Sequence, residues 1–176
     1  MTTLQSIQDD LPAYAKDIKL NLSSLLNNSE HLTQQQFWGT MLASSMMTKN
    51  KRLLAAVSNS ANENLSQEAF AAAKSATALM AMNNIYYRFT HLVSNEDYQK
   101  MSANLRMNAM AQPGIDKLDF ELFSLAVSAI NGCGKCMDAH EKVLTSKGIS
   151  KETIQAATKI ASILCGVAVV LETENL

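Results

Sequence analysis

The stretch from Ser66 to Phe89 reads SQEAFAAAKSATALMAMNNIYYRF. It holds seven alanines and no glycine or proline. Alanine, leucine, methionine, lysine and glutamate lose little on entering a helix, and Ser66 is a good N-cap. The stretch predicts one long helix with Phe70, Ala73, Thr77, Leu79, Met80 and Tyr87 toward a core. The same composition continues outward on both sides. The whole chain has six glycines and two prolines, and its first 112 residues hold only Gly39 and Pro12. No run alternates apolar and polar residues with β-branched enrichment. The fold class is therefore all-α, in one compact domain over residues 1–176.

Caps and periodicity divide the rest. A helix is predicted over about 11–26, with Pro12 in its first turn and Tyr14, Ile18, Leu22 and Leu25 on its apolar face. Thr33 caps a helix to about Thr48, and another segment runs from Lys49 to Ser60. Residues 94–110 read as a further helix entered through Ser94 or Asn95. Gln112-Pro113-Gly114 reads as a turn. Asp116 caps a helix ending near Asn131-Gly132. The next begins around Cys133 and stops at Gly148, a left-handed C′ position. Ser150 caps the last, which reaches about Thr173.

Composition excludes several functions. Of the 176 residues, 47% are hydrophobic and 18% charged, with a net charge of −1. Such a chain buries a core and lacks the basic surface that nucleic acid requires. No apolar run is expected to reach the length of a membrane span, and the N-terminus lacks the apolar region of a secretory signal. The expected compartment is the cytoplasm. Ten methionines are read first as adaptable core filling and second as a binding surface.

An internal repeat is visible. A shift of 83 pairs Phe37 with Phe120, Leu42 with Leu125, Ala43 with Ala126, Ser45 with Ser128 and Ala56 with Ala139. A shift of 84 pairs Leu65-Ser66-Gln67-Glu68 with Ile149-Ser150-Lys151-Glu152. The expectation is a duplicated helical unit, with halves at about 30–90 and 114–174 and a connector between them. The chemical residues are confined to the second half. Glu121, Cys133, Cys136 and His140 align with Trp38, Asn50, Leu53 and Val57.

The chemistry sits in Glu121-LFSLAVSAING-Cys133-GK-Cys136-MDA-His140. On a helix starting near Cys133, the spacings of three and four place Cys133, Cys136 and His140 on one face. Gly132 and Gly134 ease the turn and leave the first sulfur uncrowded. Three features favour a thiolate: the helix N-terminus, the charge of Lys135, and His140 as proton acceptor for Cys136. If the Gly132 turn folds the preceding helix back, Glu121 reaches and orients the imidazole. With two thiols a turn apart, peroxide can convert one to a sulfenic acid and the other can condense with it to a disulfide. A reductant must then reopen that disulfide, and the pair also suits electron transfer to a partner's disulfide.

Other readings compete. Cys133, Cys136 and His140 can be three zinc ligands, although no second C-x-x-C or H-x-x-x-H supplies a fourth; the expected metal count is none. A purely structural, buried pair is disfavoured by the glycine-rich, polar setting. Cys165, between Leu164 and Gly166, reads as a small buried apolar residue. His31, His91 and Asp138 read as surface residues.

The pattern E-x11-C-x-x-C-x3-H, on a helical duplicated chain of this length, resembles the alkylhydroperoxidase D (AhpD) family of the carboxymuconolactone decarboxylase superfamily. The resemblance implies an AhpD-like helical fold, usually homotrimeric, that reduces alkyl or hydrogen peroxide with no haem, flavin or metal bound. It implies that Cys136 attacks the hydroperoxide and becomes the sulfenic acid. Cys133 is then proton donor and resolving thiol, and His140 and Glu121 form a proton relay. It further implies electrons drawn from dihydrolipoyl groups on a lipoylated acyltransferase and passed to the peroxiredoxin AhpC. Lys135 departs from members that carry histidine between the cysteines. A non-redox decarboxylase-type enzyme and a thiol redox switch are the alternatives.

Overall fold

A computed structural model describes residues 2–175. Ten α-helices and one 3-10 turn make up its regular structure, with no strand among the described residues. In chain order they are α1 (Leu4–Asp10), the 3-10 turn Ala13–Ala15, α2 (Lys16–Asn27), α3 (Gln34–Thr48), α4 (Lys51–Asn64) and α5 (Gln67–Leu92). There follow α6 (Asp97–Lys100), α7 (Asn108–Ala111), α8 (Lys117–Ile130), α9 (Gly134–Ser146) and α10 (Lys151–Thr173).

Local chemistry starts and stops these helices where the residues require it. Thr33 accepts from the Gln36 amide while the Gln36 side chain returns a bond to the Thr33 N–H, a complete capping box. Ser66, Asp116 and Ser150 cap α5, α8 and α10 through their side-chain oxygens. α9 ends in a Schellman motif: Ile149 N–H bonds the Leu144 carbonyl and Gly148 N–H that of Thr145, with Gly148 at φ +85°. The caps Thr33 and Asp116, Asn50 and Cys133, and Ser66 and Ser150 stand at the shifts of 83 and 84 seen in the sequence.

The first helix of each half lies at the centre. On α3 every residue from Gly39 to Ser45 is buried, and on α8 every residue from Asp119 to Ser128. Neither helix therefore has a solvent face, and α5 and α10 pack around them. Gly39 allows the closest approach. A Cβ there would stand 2.1 Å from Phe123 Cζ, so the ring lies directly on the α3 backbone. At one end of this contact Asp119 accepts from Gln35 Nε2 (2.7 Å) and Gln36 Nε2 (2.9 Å), which satisfies a buried carboxylate.

Four expectations need correction. The helix expected over 11–26 is a 3-10 turn followed by α2, and α1 precedes it unforeseen. Tyr14 is 67% exposed and does not join the apolar face; its hydroxyl donates to Glu174 at 2.8 Å. The helix expected over 94–110 exists only as the single turns α6 and α7. Its residues 101–107 alternate between exposed and partly covered, so no helical face is available for burial. Propensity alone does not hold so short a helix, and Asn side chains compete with it. Asn95 Oδ1 accepts the Asp97 amide, and Asn104 adopts φ 51°. Finally, α10 is long and apolar enough to cross a membrane by length and composition. Here its apolar side, including Ile160, Leu164, Val167 and Leu171, is buried in the core.

Candidate functional site

The turn between α8 and α9 builds the site. Gly132 takes φ +64°, which a side chain rarely adopts, and its N–H bonds the Ala129 carbonyl. Cys133 N–H bonds the Ser128 carbonyl at 3.1 Å. These bonds reverse the chain, so that α9 lies back along α8. Cys133 is the N-cap of α9, its carbonyl accepting from Met137 N–H at 2.9 Å. Cys136 lies in the first turn and His140 one turn later.

Cys133 and Cys136 are joined in a disulfide, with Cα atoms 5.3 Å apart. Both are buried, and Cys133 has no exposed surface. That corrects the expectation that a glycine-rich, polar setting leaves the first sulfur uncrowded and keeps the pair out of the core. The glycines flanking Cys133 open the backbone, and the side chain between them still turns inward. Among the described residues no three His, Cys, Asp or Glu side chains are grouped as metal ligands.

Glu121 and His140 meet as the turn predicts. Glu121 Oε2 stands 2.6 Å from His140 Nδ1, and both side chains are buried. A carboxylate there fixes the hydrogen on Nδ1 and directs the imidazole. The other nitrogen, Nε2, is 3.3 Å from Met80 Sδ on α5. The four residues singled out in the sequence therefore converge on one place.

Sequence reasoning missed the contribution of α5 and α7. A cavity of about 230 Å³ opens beside Cys136 and His140. α5 supplies Met80, Asn83 and Tyr87 to its walls, Met107 and Met110 close another side, and Lys135 and Ala139 complete it. Tyr87 is thus a wall residue rather than core, with Lys135 Nζ 5.9 Å from its ring centroid. Met80, fully buried, and Met110, partly buried, combine both roles considered for methionine, packing on the core and lining the cavity, while Met107 lines it. The run Met80-Ala-Met-Asn83-Asn84 carried one signal: two asparagines on a helix otherwise built for packing.

A second missed set braces the turn. Asn84 Nδ2 donates to Ser128 Oγ and Asn131 Nδ2 to Asn84 Oδ1, both at 2.9 Å. Arg88 Nη1 donates to the Asn131 carbonyl at 2.5 Å. α5 thereby holds the last turn of α8, and through it Cys133. Cys165 takes no part. It is only half-buried, not core as expected, and partial burial raises its thiol pKa above the ordinary 9.0. His31, His91 and Asp138 are exposed.

The chain is similar to known proteins along nearly its whole length. Residues 96–174 match the carboxymuconolactone decarboxylase family. The alkyl hydroperoxide reductase AhpD of Acidobacterium capsulatum is 51% identical over 172 residues, 98% of this chain and 94% of that protein. That of Streptomyces griseus is 51% identical over 97% of this chain and 96% of its own. That of Coxiella burnetii is 51% identical over 98% of both.

Proposed function

Because the chain belongs to the alkyl hydroperoxide reductase AhpD family, we infer that it is an oxidoreductase that reduces hydroperoxides through Cys133 and Cys136. The observation that carries this reading is the junction of the dithiol pair with the buried Glu121–His140 pair on one cavity. Non-redox and purely structural readings leave that junction without a use.

The chemistry follows from the positions. In the reduced protein Cys136, which borders the cavity, is the thiolate that attacks. Its sulfur takes the terminal oxygen of R–O–O–H, the O–O bond breaks, and the alkoxide leaves and is protonated to R–OH. Cys133, with no exposed surface, resolves the sulfenic acid: its sulfur bonds Cys136 and water departs. The sum is a dithiol and a hydroperoxide giving a disulfide, an alcohol and water. His140 moves the protons and Glu121 orients it. The start of α9 and Lys135 favour the thiolate.

A reductant must reopen the disulfide. The family reading assigns this to dihydrolipoyl groups of an acyltransferase, with onward transfer to the peroxiredoxin AhpC, no bound cofactor and a cytoplasmic setting. It also implies a homotrimer. Met82, Ile85, Phe89 and Leu92 form an exposed apolar stripe along α5, of the kind an interface covers. The test is peroxide turnover with a lipoyl-protein reducing system, with and without AhpC. Cys136→Ser is expected to abolish turnover and Cys133→Ser to impair it severely. Full turnover by Cys136→Ser would overturn the reading.

A further inference from the structure

Asn83 stands on the α5 wall of the cavity beside Cys136 and His140, and the reaction above gives it no role. It is 4% exposed. Its Nδ2 donates to Met107 Sδ at 2.9 Å. A thioether carries lone pairs and no hydrogen, so this contact fixes which end of the amide is nitrogen. The other end, Oδ1, receives no hydrogen bond from any described residue. Buried oxygens without a donor are uncommon in native folds, and each one asks for an explanation. The other three such oxygens, on Thr40, Ser44 and Ser124, are hydroxyls of residues that do not line this cavity.

The surroundings define what fits Oδ1. Met80, Tyr87, Met107 and Met110 make the nearby walls apolar, and the three methionine thioethers make them adaptable. A matching ligand presents one hydrogen-bond donor at the end of an apolar body. An organic hydroperoxide has that form. Its single donor hydrogen lies on the terminal oxygen, the atom that sulfur attacks.

We propose that Asn83 Oδ1 accepts the hydrogen bond of the hydroperoxide O–H in the reduced protein, turning the terminal oxygen toward Cys136 with the organic group against the methionines. This rests on the peroxide-reducing reading and adds a substrate-orienting residue to it. The reaction stays balanced. The S–O bond forms as the O–O bond breaks, and the terminal oxygen keeps its hydrogen in Cys136–S–OH. The departing alkoxide takes a proton through His140. Because the O–H hydrogen is not transferred, its acceptor need not be a base. A neutral amide suffices, where a carboxylate would repel the thiolate. Holding the reacting atoms in line is worth rate in itself.

The test compares two reactions of fully reduced protein: single-turnover oxidation by cumene hydroperoxide, and thiolation of Cys136 by methyl methanethiosulfonate, which has no hydrogen-bond donor. Asn83→Leu is expected to slow the first at least tenfold and to leave the second within twofold. Asn83→Ala, the safer variant for folding on a helix, is expected to slow the first at least threefold with the same selectivity. A folded variant that keeps the wild-type hydroperoxide rate overturns the assignment. An equal fall in both rates also overturns it, because the side chain then only supports the site. Wild-type protein that reacts with the thiosulfonate and not with hydroperoxide would refute the peroxide reading itself, and this assignment with it.

Discussion

Removing Glu121 should injure stability and chemistry in separable ways. In Glu121→Leu the carboxylate is lost and His140 stays buried with Nδ1 facing an apolar side chain. The pair is buried on both sides and closes at 2.6 Å. Breaking such a pair by deleting one partner costs about 3–5 kcal/mol, most of it the stranded polar group. That is a large share of a typical stability of about 5–15 kcal/mol. At about 2–4 °C per kcal/mol for a chain of this size, Tm falls by roughly 6–20 °C. The double variant Glu121→Leu/His140→Leu strands nothing and should recover much of the loss. Glu121→Gln keeps an oxygen that can accept from Nδ1–H and removes the charge. It should unfold close to wild type and react with hydroperoxide about 100-fold more slowly, the lower end of the range for a disabled proton-transfer group. Urea unfolding followed by circular dichroism and stopped-flow oxidation read the two effects. If Glu121→Leu unfolds within about 1 kcal/mol of wild type, or the double variant is no more stable than Glu121→Leu, the two side chains do not form a coupled buried unit.

Other outcomes follow from the same structure. Gly39→Ala should destabilise by about 1–3 kcal/mol despite alanine's better helix propensity, because its Cβ would overlap the Phe123 ring; thermal unfolding that shows a rise in Tm would contradict the packing of α3 on α8. Thiol titration of unreduced protein should count one slow thiol, Cys165, which Cys165→Ala removes, and reduction should expose two more. Glu68 and Glu152 have carboxyl pKa values below the ordinary 4.5, held there by hydrogen bonds from their own backbone N–H groups and from Ser66 and Ser150. A lowered folded-state pKa contributes stability that is present above the unfolded value and lost as pH falls through the folded one. Glu68→Gln/Glu152→Gln should therefore be less stable than wild type at pH 7 and converge with it at about pH 2; a difference that persists in acid would contradict that assignment.

The residues that determine local structure were legible one at a time. Thr33, Ser66, Asp116 and Ser150 start their helices, and Gly148 stops α9, because caps act within one turn of the backbone. For the same reason the spacing of Cys133, Cys136 and His140 placed them at the start of one helix. Glu121 was legible only through the turn at Gly132, since a contact across 19 positions needs two helices to fold together. Residues 94–110 misled because helix-forming composition says nothing about whether a face will be buried.

The sequence by itself thus determined an all-helical chain and the register of the redox pair, since both depend on interactions three or four residues apart. Tertiary structure alone decided that α3 and α8 are covered on every side and that both cysteines are buried. It also decided that Met80, Asn83 and Tyr87 of α5 share a cavity with Met107, Met110 and Cys136. Those facts depend on how whole faces pack in three dimensions. Packing is a collective compromise among all the helices, and no single stretch of residues encodes it.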